Sequence, residues 1–145
     1  LKNMQKILYT FGRDLKKDAI IDIPEFYHAA VIYSKLYSEL YSRMYSFFSP
    51  IDAGTLGAIM RDFSEVPLAK VSFAVTFDCL INAKTGEPFS WKPSEQMYPI
   101  SRRLNRYFER KEYKELLEST MNELSFVMDW ERFELLRKEG AMDAV

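Results

Sequence analysis

The repeat that organises this chain lies in residues 32–49, which read IYSKLYSELYSRMYSFFS. A Tyr-Ser dipeptide recurs there every four residues, beginning at Tyr33, Tyr37, Tyr41 and Tyr45. Because an α-helix turns once in about 3.6 residues, a step of four keeps the tyrosines on one slowly winding stripe. The repeat therefore predicts one long helix that begins near Pro24 and ends at Phe48.

Two interpretations of this tyrosine stripe stay open. A buried tyrosine needs a partner for its hydroxyl group, so a row of tyrosines is typical of a seam with one edge in water. The stripe belongs either to an ordinary core helix or to a helix that contacts both its own domain and a second chain.

Length and composition predict one globular domain over residues 1–145. The hydrophobic share of 48% and the aromatic share of 15% favour a packed core with at least one adhesive surface. The net charge of −1 gives no overall attraction to nucleic acid or to an anionic membrane. Any such contact must therefore be local.

The cysteine count predicts an intracellular, cytoplasmic protein. Cys79 is the single cysteine and cannot form a disulfide within the chain, and no Asn-X-Ser/Thr sequence occurs. No apolar run approaches the roughly 20 residues that span a bilayer, so we expect a soluble protein with no membrane partner. The first residue is Leu1, and the sequence leaves open whether that terminus is native or processed.

Two further helices are predicted on either side of the repeat. Residues 1–17 carry apolar side chains at helical spacing and basic side chains on the other face. Ser49, Pro50 and Asp52 are typical of a helix start, and that helix should run to about Phe63. It contains Gly54 and Gly57, which weaken a helix unless another element packs closely against them. Residues 19–23 are predicted to form a linker or a short strand.

A β-hairpin is predicted near residues 70–92. Apolar and polar side chains alternate from residue 70 to residue 84, which is the period of a strand. Gly86 suits a turn with a left-handed residue, after which Ile81 should pair with Phe89 and Cys79 with Trp91. The part of the strand from Val71 to Phe77 would lack a partner within this hairpin.

Helix is expected again from Ser94 onward. A Ser101 cap precedes a helix over 102–119, and a second helix over 121–138 bends near Asp129. The predicted fold class is mainly α (α+β): a helical domain with one long central helix and a single β-hairpin. The element order also matches a winged helix, with residues 84–87 as the wing.

The predicted helix over 102–119 carries the strongest local charge. Its cationic residues are Arg102, Arg103, Arg106, Arg110, Lys111 and Lys114, interleaved with Tyr107, Phe108 and Tyr113. Arginines one turn apart can follow phosphate groups, and aromatic rings can stack on bases. The alternative is that these cations pair with the acidic segment that follows, residues 115–145.

Catalysis receives little support from the sequence. His28 is the only histidine, and it is predicted to be a packed or half-exposed structural residue. Cys79 is predicted to face the core. We therefore expect no enzyme activity, no cofactor and no metal site.

One short segment has a resemblance to a known family. Residues Leu15-Lys16-Lys17-Asp18, Ile21-Asp22, Ala29-Ala30 and Tyr33-Ser34-Lys35 are similar to the start of the phage recombination mediators that load recombinase on single-stranded DNA. The resemblance covers about twenty residues with a gap, and no residue role is carried over. It implies an oligomeric, DNA-associated role.

The function predicted from the sequence is a non-enzymatic protein-interaction or assembly subunit that binds a protein partner or a second copy of itself. The expected interface residues are Tyr33, Tyr37, Tyr41, Tyr45, Phe73 and Trp91, because tyrosine and tryptophan dominate interface energetics. The alternative is a nucleic-acid accessory protein that binds DNA or RNA through Arg102, Arg103, Arg106 and Arg110.

Overall fold

The computed structural model describes residues 2–35 and 44–140, and it has an α+β fold. The helices within those ranges are α1 (Lys2–Asp14), α2 (Tyr27–Ser34), α3 (Pro50–Asp62), α4 (Leu68–Thr76), α5 (Arg102–Glu109), α6 (Lys111–Glu123) and α7 (Trp130–Lys138). The strands are β1 (Ala19–Asp22), β2 (Ser46–Phe47), β3 (Leu80–Asn82), β4 (Gln96–Pro99) and β5 (Phe126–Met128).

Two small antiparallel sheets hold the helices together. The larger has the order β1-β4-β2, with Ile21 and Ser46 both opposite Met97. The smaller pairs β3 with β5, and Ile81 lies opposite Val127. Residues 19–23 thus supply a strand, one of the two predicted outcomes, and that strand pairs with β4.

Several predicted helix boundaries are confirmed. The Ser49 Oγ accepts a hydrogen bond from the N–H of Asp52 at 3.2 Å, and α3 ends at Asp62 as expected. The Ser101 Oγ accepts from the N–H of Leu104 at 3.2 Å. These caps satisfy amide groups that the first turn of a helix leaves without partners.

The closest helix packing lies between α3 and α6, where glycine was predicted to permit it. A Cβ atom on Gly54 would stand 2.6 Å from the carbonyl oxygen of Leu117 and 2.8 Å from the Cβ of Thr120. A Cβ on Gly57 would stand 3.0 Å from the sulfur of Met121. The missing side chains therefore let the two backbones approach.

The prediction of one long helix is wrong. The helix α2 ends at Ser34, whose Oγ donates to the carbonyl of Val31 at 2.8 Å, and Ser46 and Phe47 form a strand. Serine side chains compete in this way with the helical hydrogen bonds, and pairing with the central strand β4 fixes the other end of the repeat. Tyr37 and Tyr41 lie outside the described residues.

The predicted strand over residues 71–77 is also wrong, because this segment forms α4. A short run of apolar residues can match both the strand period of about 2 residues and the helix period of about 3.6 residues. Here Val71, Ala74 and Val75 share one buried helix face. Asp78 ends the helix in a left-handed conformation (φ 54°), and the N–H of Cys79 donates to the carbonyl of Ala74 at 2.7 Å. Glycine is the usual residue at the left-handed position after a helix, so an aspartate there gives no sequence pattern that predicts the helix end.

Of the predicted hairpin, the structure contains the turn and one bridge. Gly86 has a φ of 76°, and the N–H of Asn82 donates to the carbonyl of Glu87 at 2.9 Å. Ile81 then meets Pro88 in a single bridge instead of pairing with Phe89, and the ladder partner of β3 is β5. The bond from the Asn82 N–H and a second bond, from the Phe89 N–H to the carbonyl of Leu80 at 2.8 Å, flank this bridge, and the pairing extends no further.

Two segments predicted as helix form strands, and the winged-helix alternative fails with them. Residues 96–99 form β4, and residues 126–128 form β5 just before Asp129, where the bend was expected. The wing has no return strand. Within residues 2–35 and 44–140, no helix is both long and apolar enough to cross a membrane.

Candidate functional site

An apolar groove runs between α2 and α4, with a volume of about 680 Å³. We call it the α2–α4 groove, and its lining residues are Phe26, His28, Ile32, Leu68, Ala69, Ser72, Phe73 and Thr76. The volume is in the usual range for ligand and peptide sites. None of these eight side chains is a carboxylate, a lysine or an arginine, so the groove suits a neutral, apolar occupant.

The polar centre of the groove is a contact between the two helices. The Nδ1 atom of His28 lies 2.8 Å from the Oγ of Ser72, at hydrogen-bond distance. The imidazole stacks on Phe26, with ring centroids 5.7 Å apart. His28 is thus exposed, and one ring contact and one hydrogen bond hold its side chain.

Of the four predicted interface residues that the structure describes, one lines this groove. Phe73 does so, whereas Trp91 packs against Tyr27 and Phe47 and donates its indole N–H to the carbonyl of Pro24 at 3.1 Å. Trp91 is therefore partly buried against the core and is not opposite Cys79. The prediction that Trp91 is a contact anchor has no support from its position.

The described tyrosines of the repeat belong to an internal cluster of rings. Tyr33 contacts Tyr45 at 5.1 Å between centroids, Tyr45 contacts Tyr98 at 5.5 Å, and Tyr98 contacts Tyr9 of α1 at 5.9 Å. Tyr45 is 4% exposed, and burial raises its pKa to about 12. Its hydroxyl donates to Gln5 at 2.9 Å, which is the partner that a buried tyrosine requires.

The arginine-rich helix is shorter than predicted. It breaks at Arg110, which is extended (φ −60°, ψ 141°) and lies between α5 and α6. Arg102 and Arg106 are exposed on α5, and Arg103 makes an ion pair with Asp18 at 3.0 Å. Among the described residues Lys111 pairs with Glu115 of the acidic segment at 3.4 Å, whereas no ion pair joins the four arginines to residues 115–140, so the self-pairing alternative is supported at Lys111 alone.

Two basic stretches that are distant in the sequence meet at Asp18. The carbonyl of Asp18 accepts from the N–H of Ile100 at 2.7 Å and from that of Ser101 at 2.9 Å. A hydrogen bond from the Ser101 side chain lowers the pKa of the Asp18 carboxyl, and Arg103 lowers it further. We call the result the basic cluster; its exposed members are Lys16, Lys17, Arg102, Arg103 and Arg106.

The aromatic side chains near the arginines are occupied by protein contacts. Tyr107 stacks on Phe48 with centroids 4.7 Å apart, and its hydroxyl donates to the carbonyl of Phe48 at 2.6 Å. The buried Tyr113 donates to the carbonyl of Phe47 at 2.5 Å, and burial raises its pKa to about 12. Base stacking on these two rings is therefore not supported.

The helix α1 presents a surface that the sequence pattern did not predict. Four of its apolar residues and Leu15, which follows its last residue, are exposed to solvent: Met4 by 53%, Ile7 by 68%, Leu8 by 40%, Phe11 by 63% and Leu15 by 51%. We call these five side chains the α1 stripe. Periodicity identifies such a stripe but carries no signal that separates a buried one from an exposed one.

The remaining candidate residues offer little chemistry. Cys79 is fully buried, as predicted, and burial raises the pKa of its thiol. A thiol in that state is a poor nucleophile. In the part of the chain that the structure describes, no group of three or more His, Cys, Asp or Glu side chains could hold a metal ion.

Comparisons of the chain with family models, with curated proteins and with solved structures find no match, so the short resemblance to phage recombination mediators gains no support from them.

Proposed function

We propose that this protein is a non-enzymatic interaction subunit that binds an apolar segment of a protein partner in the α2–α4 groove. The observation that carries the proposal is the groove itself, an open site of about 680 Å³ with Phe73 and Ile32 in its walls. Amphipathic helices commonly bind in grooves between two helices through a row of apolar anchors. The proposed contact surface is this groove and not the tyrosine repeat expected from the sequence, because the described tyrosines pack inward.

The side chains that line the α2–α4 groove limit which partner segments can bind there. A charged side chain would lose its hydration in the groove without gaining a carboxylate, lysine or arginine partner, since the lining contains none of these. His28 and Ser72 already bond each other, so they leave few groups to recognise a second polar ligand. The partner segment should therefore be apolar, with at most one polar group opposite His28.

The test is to fill the groove without disturbing the core. Ala69 is exposed in the groove, so Ala69→Trp should occupy it, while Ala83→Trp places the same side chain on an exposed turn. We expect the wild-type chain and Ala83→Trp to capture the same proteins from an extract, and Ala69→Trp to lose one of them. Light scattering on the three chains tests the version in which the partner is a second copy.

The proposal fails if Ala69→Trp captures every protein that the wild-type chain captures, and if its mass in solution is also unchanged. Circular dichroism of both tryptophan variants serves as the folding control.

The second candidate is a nucleic-acid accessory protein, and the observation that favours it is the basic cluster. Removing two of its cations by Arg102→Gln with Arg106→Gln should weaken binding to single-stranded DNA and flatten its salt dependence, by about 0.7 in log–log slope for each lost phosphate contact. Lys92→Gln with Lys138→Gln removes the same charge from exposed positions elsewhere and should have little effect. If both double variants lose the same amount of DNA binding, the effect depends only on net charge, and this result would count against a specific site at the basic cluster.

A further inference from the structure

We propose that α1 binds an anionic lipid surface, with the α1 stripe immersed between the headgroups and the basic cluster beside it. This inference uses a surface other than the α2–α4 groove and does not depend on the function proposed above. It concerns a helix that lies on a membrane and does not cross it.

The way in which α1 docks on the protein leaves the stripe outside. Gln5 accepts from Tyr45, Tyr9 contacts Tyr98, and a Cβ on Gly12 would stand 2.6 Å from the Cδ1 of Ile100. Residues 5, 9 and 12 share one line along the helix, and the middle of the stripe is roughly 100° away from that line. The helix is thus fixed along one side while its apolar side faces solvent.

The charge near the stripe favours an anionic partner. Residues 3–18 and 101–106 contain seven Lys and Arg against two Asp, in a chain whose net charge is −1. Hydrogen bonds at Asp18 hold the two segments together. The Lys and Arg side chains next to Asp18 therefore lie beyond the Leu15 end of the α1 stripe. Helices that lie in membrane interfaces combine an apolar side with Lys and Arg in this way.

The size of the stripe favours a lipid surface over a protein. Taking about 200 Å², the value for an aromatic side chain, as an upper bound for each, five side chains that are about half exposed offer at most roughly 500 Å². A specific protein interface buries about 800 Å² on each partner. An interfacial helix needs no complementary shape, and the 13 residues of α1 give it a length of about 20 Å. A second copy is disfavoured because it would bring two basic clusters together.

The experiment measures sedimentation of the whole chain with vesicles of phosphatidylcholine alone and of phosphatidylcholine mixed with phosphatidylserine. We expect binding to the mixed vesicles only, and we expect it to fall as sodium chloride is added, because salt screens the attraction. Ile7→Ser with Phe11→Ser should lower binding at least about tenfold, since two exposed apolar side chains no longer enter the membrane.

The matched control is Ile51→Ser with Leu135→Ser, which removes two apolar side chains that are 52% and 56% exposed on other helices. That variant should bind like the wild-type chain. Lys16→Gln with Lys17→Gln should weaken binding and reduce its salt dependence. Circular dichroism checks that all three double variants keep their helices.

Three outcomes would overturn the proposal. They are no binding to mixed vesicles, equal binding to both kinds of vesicle, and binding that Ile7→Ser with Phe11→Ser leaves undiminished. Within the first outcome, a wild-type chain that binds a synthetic acidic amphipathic peptide through Ile7 and Phe11 would assign the surface to a protein partner.

Discussion

The helices α1 and α3 have the same length, 13 residues, and both end in Arg-Asp, yet the protein uses them in opposite ways. The sequence of α1 has a clear apolar stripe, and the structure leaves that stripe exposed. The sequence of α3 contains two glycines and a weaker pattern, and the structure buries Leu56, Ala58 and Ile59 against the core. Amphipathicity therefore does not rank the helices of this protein by their contribution to the core.

The difference arises from the shape of the contact that each helix makes. At α1 the docking line consists of a glutamine, a tyrosine and a glycine, which offer a hydrogen bond, a ring contact and a close approach. At α3 the glycines let the helix approach α6 closely, while Leu56 and Ile59 are buried in the core. Close packing, and not the width of the apolar stripe, decides which side of each helix is buried.

The largest expected effect compares the same substitution in both helices. Ile59 is fully buried in α3, so Ile59→Ala should lower the free energy of unfolding by about 3–4 kcal/mol through lost burial and the cavity it leaves. Ile7 is 68% exposed in α1, and Ile7→Ala should change it by no more than about 0.5 kcal/mol. Urea denaturation measures both values, and similar losses in the two variants would contradict the comparison.

The next effect tests the glycines of α3. Gly54→Ala improves helix propensity by about 1 kcal/mol, but its methyl group would meet the carbonyl of Leu117 at 2.6 Å. Backbone cannot move aside cheaply, so we expect a net loss of about 2 kcal/mol in stability. Gly57→Ala meets only the flexible Met121 side chain at 3.0 Å and should be nearly neutral. A thermal melt that shows Gly54→Ala to be as stable as Gly57→Ala would refute close packing as the cause.

The smallest effect separates the two terminal aspartates. Asp62 accepts from the N–H of Phe126 at 2.8 Å and pairs with Arg61 at 2.8 Å, and its side chain is 17% exposed. Asp14 pairs with its neighbour Arg13 at 3.1 Å, and its side chain is 63% exposed. Asp62→Asn should cost about 1–2 kcal/mol, whereas Asp14→Asn should stay within about 0.5 kcal/mol.

The stability conferred by Asp62 should depend on pH in a defined direction. Burial raises the pKa of this carboxyl, but the hydrogen bonds from Arg61 and from the Phe126 N–H, with the charge of Arg61, outweigh burial and lower it below 3.8. The contribution is complete above the unfolded value and is lost as the pH falls through the lowered folded value. In acid titrations of stability, Asp62→Asn should therefore remove part of the loss seen below about pH 4. An unchanged acid profile would show that Asp62 adds no pH-dependent stability.

Local chemistry explains which sequence predictions are confirmed. The Ser49 and Ser101 caps, the turn at Gly86 and the tight approach at Gly54 each depend on one or two residues and their immediate neighbours. A side chain that caps an amide, or a glycine that takes a positive φ, acts in the same way in any tertiary context. Such features can be predicted without knowing the fold.

The site could be predicted only in part, because its surfaces combine residues that are distant in the sequence. Phe73 was identified as a contact residue, but its groove depends on α4 being a helix, and the alternating pattern of residues 70–84 predicted a strand. The arginines of α5 were identified, but their proximity to Lys16 and Lys17 depends on Asp18 bonding Ile100 and Ser101. No short sequence pattern predicts the helical state of α4 or the contact of Asp18 with Ile100 and Ser101.

The sequence by itself determined the capped helix starts, the amphipathic character of α1, the need for close packing at α3 and the absence of a long apolar run, because each follows from residue chemistry over a few turns. The tertiary structure decided that residues 68–76 are helical, that β3 pairs with β5, that Tyr45 lies inside and that the α1 stripe lies outside. Those outcomes depend on which distant segments compete for the same buried surface and the same backbone hydrogen bonds, and that competition is settled only when the whole chain packs.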